Sequence, residues 1–296
     1  MTVIALARQV GSGGQAVATG LAERFGFAVI GRKELRAEAA RRGLSLPPSF
    51  EGFASEDRAG LNLNHYLSYG ELEFDFALRG GSGDNLDSVP FFSDMAGNSR
   101  EILLTLQILI YDIAARDNVV LVGAGAQILL AGFAWALRVK IIAPMETRVK
   151  RMIDAYRLQP DEADAAVQQA DQEQIDYNRI IFGEDWNNPE LWDLVINSEL
   201  LRVDQIVELI ASQVDRIEMK RENVDREMLS ASAEINRQLL AATHLGRPYA
   251  CAIPTPEGIA IRGDVPNSEA YAAIMELAAA TAAPLPLVDG LREAPN

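Results

Sequence analysis

The sequence predicts an α/β protein in which a doubly wound parallel sheet with flanking helices precedes a small α+β unit. Three observations predict it. An apolar run, Thr2 to Ala7, enters a glycine-rich loop and then a helix, Gln15 to Phe25. A second apolar run, Phe27 to Ile30, leads into a helix at Arg32 to Arg42, and this β-α-β-α order places a ligand at the carboxyl ends of parallel strands. Beyond a charge-dense connector, Arg216 to Arg226, the order changes to α-β-β-α-β.

The remaining elements follow from periodicity. In the first helix Val17, Leu21 and Phe25 share a face. Ser45 to Asn98 is polar and glycine-containing, with a loop at Arg79 to Asp84, and carries no clear period. A long helix is expected at Arg100 to Arg116, a strand at Val119 to Val122, and a Gly123-Ala-Gly125 turn that opens another helix. Leu137 to Ala143 reads as the fourth strand, and a helix from Glu146 carries Arg148, Arg151 and Arg157. Pro160 to Phe182 is a polar helix, expected to be a solvated arm or a mobile lid (region 158–184). Leu194 to Asn197 and Val203 to Ile217 close the first unit, 1–218. The second, 225–292, comprises a helix at Met228 to Thr243, a hairpin of Tyr249 to Ile253 with Gly258 to Arg262, a helix at Ser268 to Thr281 and a strand at Leu285 to Val288. Its size is near the lower limit for independent folding.

Composition narrows the function. A chain of 296 residues with 49% hydrophobic and 23% charged residues supports about two globular units. A net charge of −15 argues against general nucleic-acid binding and against adhesion to anionic membranes. A phosphorylated ligand then needs local cations and helix ends. Only Lys33, Lys140, Lys150 and Lys220 are lysines, so that role falls to arginine. The lone Cys251 excludes an intrachain disulfide and reads as a small core residue. His65 and His244 read as surface or packing residues, and no side-chain metal site is expected. The N-terminal apolar run is too short for a signal peptide, and no run reaches roughly 18 residues. The expected setting is reducing and cytoplasmic.

The chemistry concentrates in Ala5-Leu-Ala-Arg-Gln-Val-Gly-Ser-Gly-Gly-Gln-Ala16. A helix entered through glycines presents unpaired N–H groups and the positive end of its dipole, which suits a phosphate. The loop resembles a P-loop with three replacements: Arg8 for the first glycine, Gly14 for the lysine and Gln15 for the Ser/Thr that touches Mg²⁺. Gly11, Ser12, Gly13, Gly14 and Gln15 are therefore candidate nucleotide-binding residues. Gly11, Gly13 and Ala16 also satisfy a dinucleotide fingerprint, with Arg32 placed to answer a 2′-phosphate, so an NADP-binding oxidoreductase is a competing reading. Arg148 and Arg151, at i and i+3, are candidates to clamp phosphate oxygens. Asp171 to Asp176 and Glu184-Asp185 read chiefly as a hydrophilic surface, with no recognised metal-loop spacing. Asp185, Asp193 and Asn197 are added as candidates beside a nucleotide, the last two because they flank a buried strand.

Residues 3 to 215 resemble the cytidylate kinase-like branch of the nucleoside monophosphate kinases. The resemblance rests on Ala7 to Gly14, Val120-Leu-Val-Gly-Ala-Gly-Ala126, Leu137 to Arg151, Phe182-Gly-Glu-Asp-Trp186 and Asp193 to Asn197. It implies transfer of the ATP γ-phosphate to CMP or dCMP, with Mg²⁺ held by the phosphates, a lid near Pro160 to Phe182 and a monophosphate-binding insert within Arg32 to Asn98. Arg8, Arg148 and Arg151 then take catalytic roles. The chain departs from that pattern at Gly14, Gly31, Ala124 and Gln174, each a lost charge, and one such loss commonly costs on the order of 10²–10³ in rate. A catalytically impaired nucleotide sensor or scaffold is the alternative expectation. The tail, Asp225 to Leu291, resembles a BON-like domain through Gly258 to Pro266, which implies a homo-oligomer or protein contact.

Overall fold

A five-stranded parallel sheet carries the first unit of the computed structural model, which describes residues 2–46, 99–116, 118–217, 223–242 and 250–293. In chain order the elements are β1 (Val3–Arg8), α1 (Gly14–Phe25), β2 (Ala28–Ile30), α2 (Arg32–Arg41), α3 (Ser99–Ala115), β3 (Val119–Val122), α4 (Ala126–Leu129), β4 (Ala136–Ile142), α5 (Met145–Tyr156), α6 (Pro160–Phe182), β5 (Leu194–Asn197) and α7 (Val203–Ile217). The strand order is β2-β3-β1-β4-β5, with Ala7 level with Lys140 and Arg8 level with Ile141. β1 is therefore flanked by β3 and β4, and β2 lies at the sheet edge. A dinucleotide fold places the second strand beside the first, so this order corrects the NADP-binding expectation.

Strand alternation assigns the two faces. Ile4 and Leu6 pack with Val17, Leu21, Ile206 and Ile210, beneath α1 and α7. Val3 and Ala5 face the opposite way, toward Leu106 and Leu109 of α3. This second face explains why α3 is apolar almost all round: helices that bury one stripe are amphipathic, whereas this one is covered on two sides. Its outer cover is α8 (Asn223–Ala241), whose Met228, Leu229 and Ala233 belong to the same core cluster as Leu106 and Ile110. Trp135, 1% exposed, also reaches this seam and donates its indole N–H to Asp225 at 3.0 Å.

After α8 come β6 (Ala250–Thr255), β7 (Gly258–Val265), α9 (Ser268–Ala282) and β8 (Leu287–Glu293). They form a second sheet, ordered β6-β7-β8, with an antiparallel hairpin and a parallel crossover through α9. The α-β-β-α-β order is the one expected, but α8 starts five residues earlier and β8 ends later than the periodicity indicates. Gly258 sits at φ 140° against the Pro286 carbonyl, where a side chain would collide.

One expectation for α6 is corrected. Ala163, Ala166, Val167, Ala170, Tyr177 and Ile181 recur at helical spacing and are buried, the first four with Met152 of α5. The helix is docked, not a solvated arm. His65, His244 and the Arg79 to Asp84 loop lie outside the described residues. Among the described residues no helix is long and apolar enough to cross a membrane, and no cluster of three metal-ligating side chains occurs.

The seam between α3 and α8 is keyed by a buried amide. Asn236 accepts from the Ala252 N–H at 2.6 Å and donates to the Ala252 carbonyl at 2.9 Å and toward Gln107 at 3.4 Å. Asn236→Ala leaves both main-chain groups of Ala252 unpaired in a dry site, each at a cost of about 1–3 kcal/mol. Urea unfolding of this variant is expected to show a loss of roughly 2–4 kcal/mol, where a surface asparagine would show almost none.

Candidate functional site

β1 ends at the carboxyl edge of the sheet, and residues 9–13 turn the chain into α1. The Gln9 N–H continues the ladder to the Ile141 carbonyl at 3.1 Å, and the Ser12 N–H closes back on the Gln9 carbonyl at 3.2 Å. Gly11 and Gly13 have φ of 74° and 77°, in the left-handed region that glycine tolerates. Gly11 meets a second demand, since a Cβ there would lie 2.8 Å from the Arg148 carbonyl. The backbone of α5 presses directly on the loop.

The carbonyls of Val10, Gly11 and Ser12 turn toward α5 and the β5–α7 loop. Arg148 Nη1 approaches the Val10 carbonyl at 3.5 Å, and Arg151 Nη1 donates to the Gly11 and Ser12 carbonyls at 3.3 and 3.1 Å. Ser198 Oγ donates to the Ser12 carbonyl at 2.5 Å, and Ser198 is in turn held by Arg151 through its hydroxyl and carbonyl. The first-turn N–H groups of α1, which no helix bond satisfies, form the other side of the same turn. Ser12 is fully buried, and its own hydroxyl has no partner among the described residues.

Arg148 is 4% exposed and heavily committed. It makes a bidentate pair with Asp171 of α6, at 2.9 and 2.7 Å, and its Nε donates to the Ala143 carbonyl at 3.1 Å. The two arginines expected to clamp phosphate from the front therefore grip the loop from its carbonyl side, and Arg148 also fastens the lid-like helix to it.

Two replacements in the loop prove to be one. A Cβ on Gly14 would lie 2.6 Å from Arg8 Cβ and 3.1 Å from its Cδ. The Arg8 stem runs through the space where a side chain at position 14 would begin. An arginine at 8 thus requires glycine at 14, and a lysine at 14 would require a small residue at 8.

The opposite wall is formed after β3. Gly123, Ala124 and Gly125 have φ of 74°, 58° and 79°, and the Phe182 ring from the end of α6 fills the place of a Gly125 side chain. Tyr177 meets Phe182 edge-on at 5.8 Å, and the Arg32 guanidinium lies 4.9 Å from the Tyr177 ring centre. Gln127 donates to Asn178 at 3.2 Å, a buried bond that holds α4 to α6. Gly31 carries no acid, but Glu34 folds back to accept the Gly31 N–H at 2.9 Å and returns a carboxylate to the end of β2. The Gly-x-x-Glu spacing ahead of a helix was the signal for that residue.

The remaining candidates separate. Asn197 ends β5 at the correct edge, where its side chain accepts the Glu199 N–H at 3.0 Å beside Ser198. Asp185 is exposed in the α6–β5 connector and accepts the Asn187 N–H at 2.9 Å. Asp193 lies at the opposite end of β5, four residues or roughly 13 Å from Asn197 along the strand. There it forms a bidentate pair with Arg138, at 3.0 and 2.6 Å, beside a groove of about 470 Å³ lined by Phe133, Leu194 and Gln213. The structure thus removes Asp193 from the site: ligands of such sheets sit at carboxyl ends, and its carboxylate is already paired. Ser198 is an addition that the sequence pattern did not mark.

Orphaning the Arg148 charge tests the fastening. Asp171→Ala is expected to cost about 2–3 kcal/mol in urea unfolding, toward the low side for a broken buried pair because Asp171 is 31% exposed. Asp171→Asn should lose less, because an amide oxygen still accepts.

Comparison with known proteins adds three findings. The model of the cytidylate kinase-like family matches residues 3–200. No curated protein matches the chain. Among solved structures, an uncharacterised protein from Eubacterium ventriosum ATCC 27560 superposes with a TM-score of 0.50 at 19% identity, over 73% of this chain and 98% of its own, a likeness of fold. Shikimate kinase from Acinetobacter baumannii matches at 13% identity and TM-score 0.37, over 74% of this chain and 96% of its own. Deoxyadenosine kinase from M. mycoides matches at 10% identity and TM-score 0.31, over 72% and 99%.

Proposed function

Because the chain belongs to the cytidylate kinase-like family, we propose that it transfers the γ-phosphate of ATP to a pyrimidine nucleoside monophosphate, CMP or dCMP. The observation that carries this reading is the loop at the end of β1, whose carbonyls are held away from the cleft by Arg148, Arg151 and Ser198. Turning the carbonyls back leaves the N–H groups of Gly11, Gly13, Gly14 and Gln15 to cradle the triphosphate, with the orphaned Ser12 hydroxyl beside them.

In this reading Arg8 replaces the lysine. It is attached to a different residue, but its stem passes over Gly14 at the base of the loop, and in this reading its guanidinium serves the triphosphate. An oxygen of the acceptor monophosphate attacks the γ-phosphorus, the bond to the β-bridging oxygen breaks, and ADP leaves. Positioning and charge compensation dominate such chemistry, so no strong side-chain base is required. Mg²⁺ bound with the nucleotide would supply charge neutralisation for the transferring phosphates, and with Gln15 at the usual hydroxyl position the phosphates themselves would hold it. Asn197, beside the loop, and Asp185, in the connector, are the further nucleotide contacts in this reading. The C-terminal sheet, whose β8 is largely exposed, is read as a BON-like contact surface, and the protein as cytoplasmic.

A second reading, a nucleotide sensor that no longer turns over, is favoured by one observation: Ala124, at the position of a family arginine, is 1% exposed in a closed wall.

Coupled-assay turnover with ATP-Mg²⁺ against CMP, dCMP, UMP and AMP separates the two. CMP or dCMP is expected to be preferred, with Arg8→Ala lower by on the order of 10²–10³. Gly14→Lys alone should abolish activity through collision with Arg8, and Arg8→Gly with Gly14→Lys should recover part of it. Tight ATP binding without transfer would establish the sensor; absence of ATP binding would overturn both.

A further inference from the structure

Lys140 is the buried cation that the site, as described so far, does not use. It lies on β4, level with Ala7 and one residue before the strand position beside Arg8. Lysine is rarely buried without a partner, yet this one is 6% exposed. Its ammonium donates to the Trp186 carbonyl at 2.9 Å and lies 4.4 and 5.4 Å from the ring centres of Trp186 and Trp192. The two indoles meet edge-on at 5.0 Å and pack on Ala7 and Leu191, with Ile128 of α4 and Ile175 of α6 against them. Both tryptophans belong to residues 183–193, the connector from the lid-like helix α6 to β5.

The position of this cage gives it consequence. One end of the connector is α6, where Asp171 holds Arg148, which in turn reaches the Val10 carbonyl. The other end is β5, which runs into Ser198 and its bond to the Ser12 carbonyl. Both ends of the segment that Lys140 holds therefore bear on the loop's carbonyls. We propose that Lys140 is a positioning residue for the nucleotide site: its ammonium pins the 183–193 connector to β4 and so maintains the grip of Arg148 and Ser198 on the loop.

The charge at 140 is set by few groups. Asp171 from α6 and Asp185 from the connector favour the ammonium, while Ala7, Ile128 and Ile175 bring no charge. Arg138, two residues earlier on the strand, is already paired with Asp193. Burial outweighs the two carboxylates and pushes Lys140 down from 10.5 to about 8. Above about pH 8 the neutral amine still donates to the Trp186 carbonyl, and only the cation's attraction to the two indole faces is lost. The unfolded lysine keeps its proton to about 10.5, so between those values unfolding takes up a proton and this group's contribution to stability rises with pH. Opening of the connector that returns Lys140 to water takes up a proton in the same range, so the connector opens less readily as the pH rises from about 8.

A pH series on the full chain tests the proposal. Wild-type tryptophan emission is expected to titrate with a midpoint near 8, with Lys140→Met flat and Lys140→Arg remaining in the cationic form. Hydrogen exchange of the 183–193 amides, corrected for intrinsic rate, should slow through the same transition. At neutral pH it should be about tenfold faster in Lys140→Met, with rescue by Lys140→Arg. Affinity for a non-hydrolysable ATP analogue should fall in parallel; only this arm rests on the phosphotransfer reading. Exchange in Lys140→Met equal to that of the wild type would overturn the pin, and so would wild-type exchange that accelerates above about pH 8, a measurement that needs no variant to fold. Faster exchange in Lys140→Met with unchanged analogue affinity would overturn its bearing on the loop. A wild type that titrates and exchanges as expected but binds no nucleotide would sink the phosphotransfer reading and leave the pin standing.

Discussion

A planar peptide cannot turn its carbonyl one way without turning the following N–H the other, and the candidate site depends on that constraint at Val10, Gly11 and Ser12. Three successive carbonyls are drawn toward two guanidinium groups and a hydroxyl on α5 and the β5–α7 loop. The glycines at 11 and 13 permit the turn, and the contact of α5 with Gly11 leaves no room for another residue. Backbone donors held this way need little reorganisation to meet a phosphate, which is how such loops stabilise charge. A chain carrying a net charge of −15 needs such local donors to attract any anion.

The same arrangement gives the family's departures a common physical sense. Arg8 and Gly14 exchange large for small across a single contact, so the missing lysine is matched by an added cation whose stem fills the lysine's place. Gly31 is likewise accompanied by Glu34, which folds back to the end of β2. Ala124 and Gln174 have no comparable replacement among the described residues. Two of the four lost charges thus have a substitute from another position nearby, and two do not.

Much of the fold was legible in the sequence. Val119 to Val122, Leu194 to Asn197, Pro160 to Phe182 and Val203 to Ile217 form the elements expected, because buried parallel strands read as short apolar runs and helices as spaced ones. The fold class follows from them. The site was legible only in part. An i, i+3 pair shows that Arg148 and Arg151 share a face, but the partner of that face depends on where Asp171 and Ser198 arrive from α6 and β5. Asp193 and Asn197 flank the same strand, yet only the strand's direction says which end meets the loop. Lys140 was indistinguishable from any strand lysine until two tryptophans nearly fifty residues away closed over it. The packing of α8 on α3 was hidden for a similar reason, since an all-apolar helix does not say what covers its second side.

The most direct measurement is a crystal structure of the chain with a non-hydrolysable ATP analogue and Mg²⁺. The account predicts the β- and γ-phosphates on the amides of Gly13, Gly14 and Gln15, with the Arg8 guanidinium against them and the carbonyls of Val10 to Ser12 still turned toward Arg148, Arg151 and Ser198. A triphosphate bound elsewhere, or a loop whose carbonyls swing into the cleft while Arg8 points away, would contradict it.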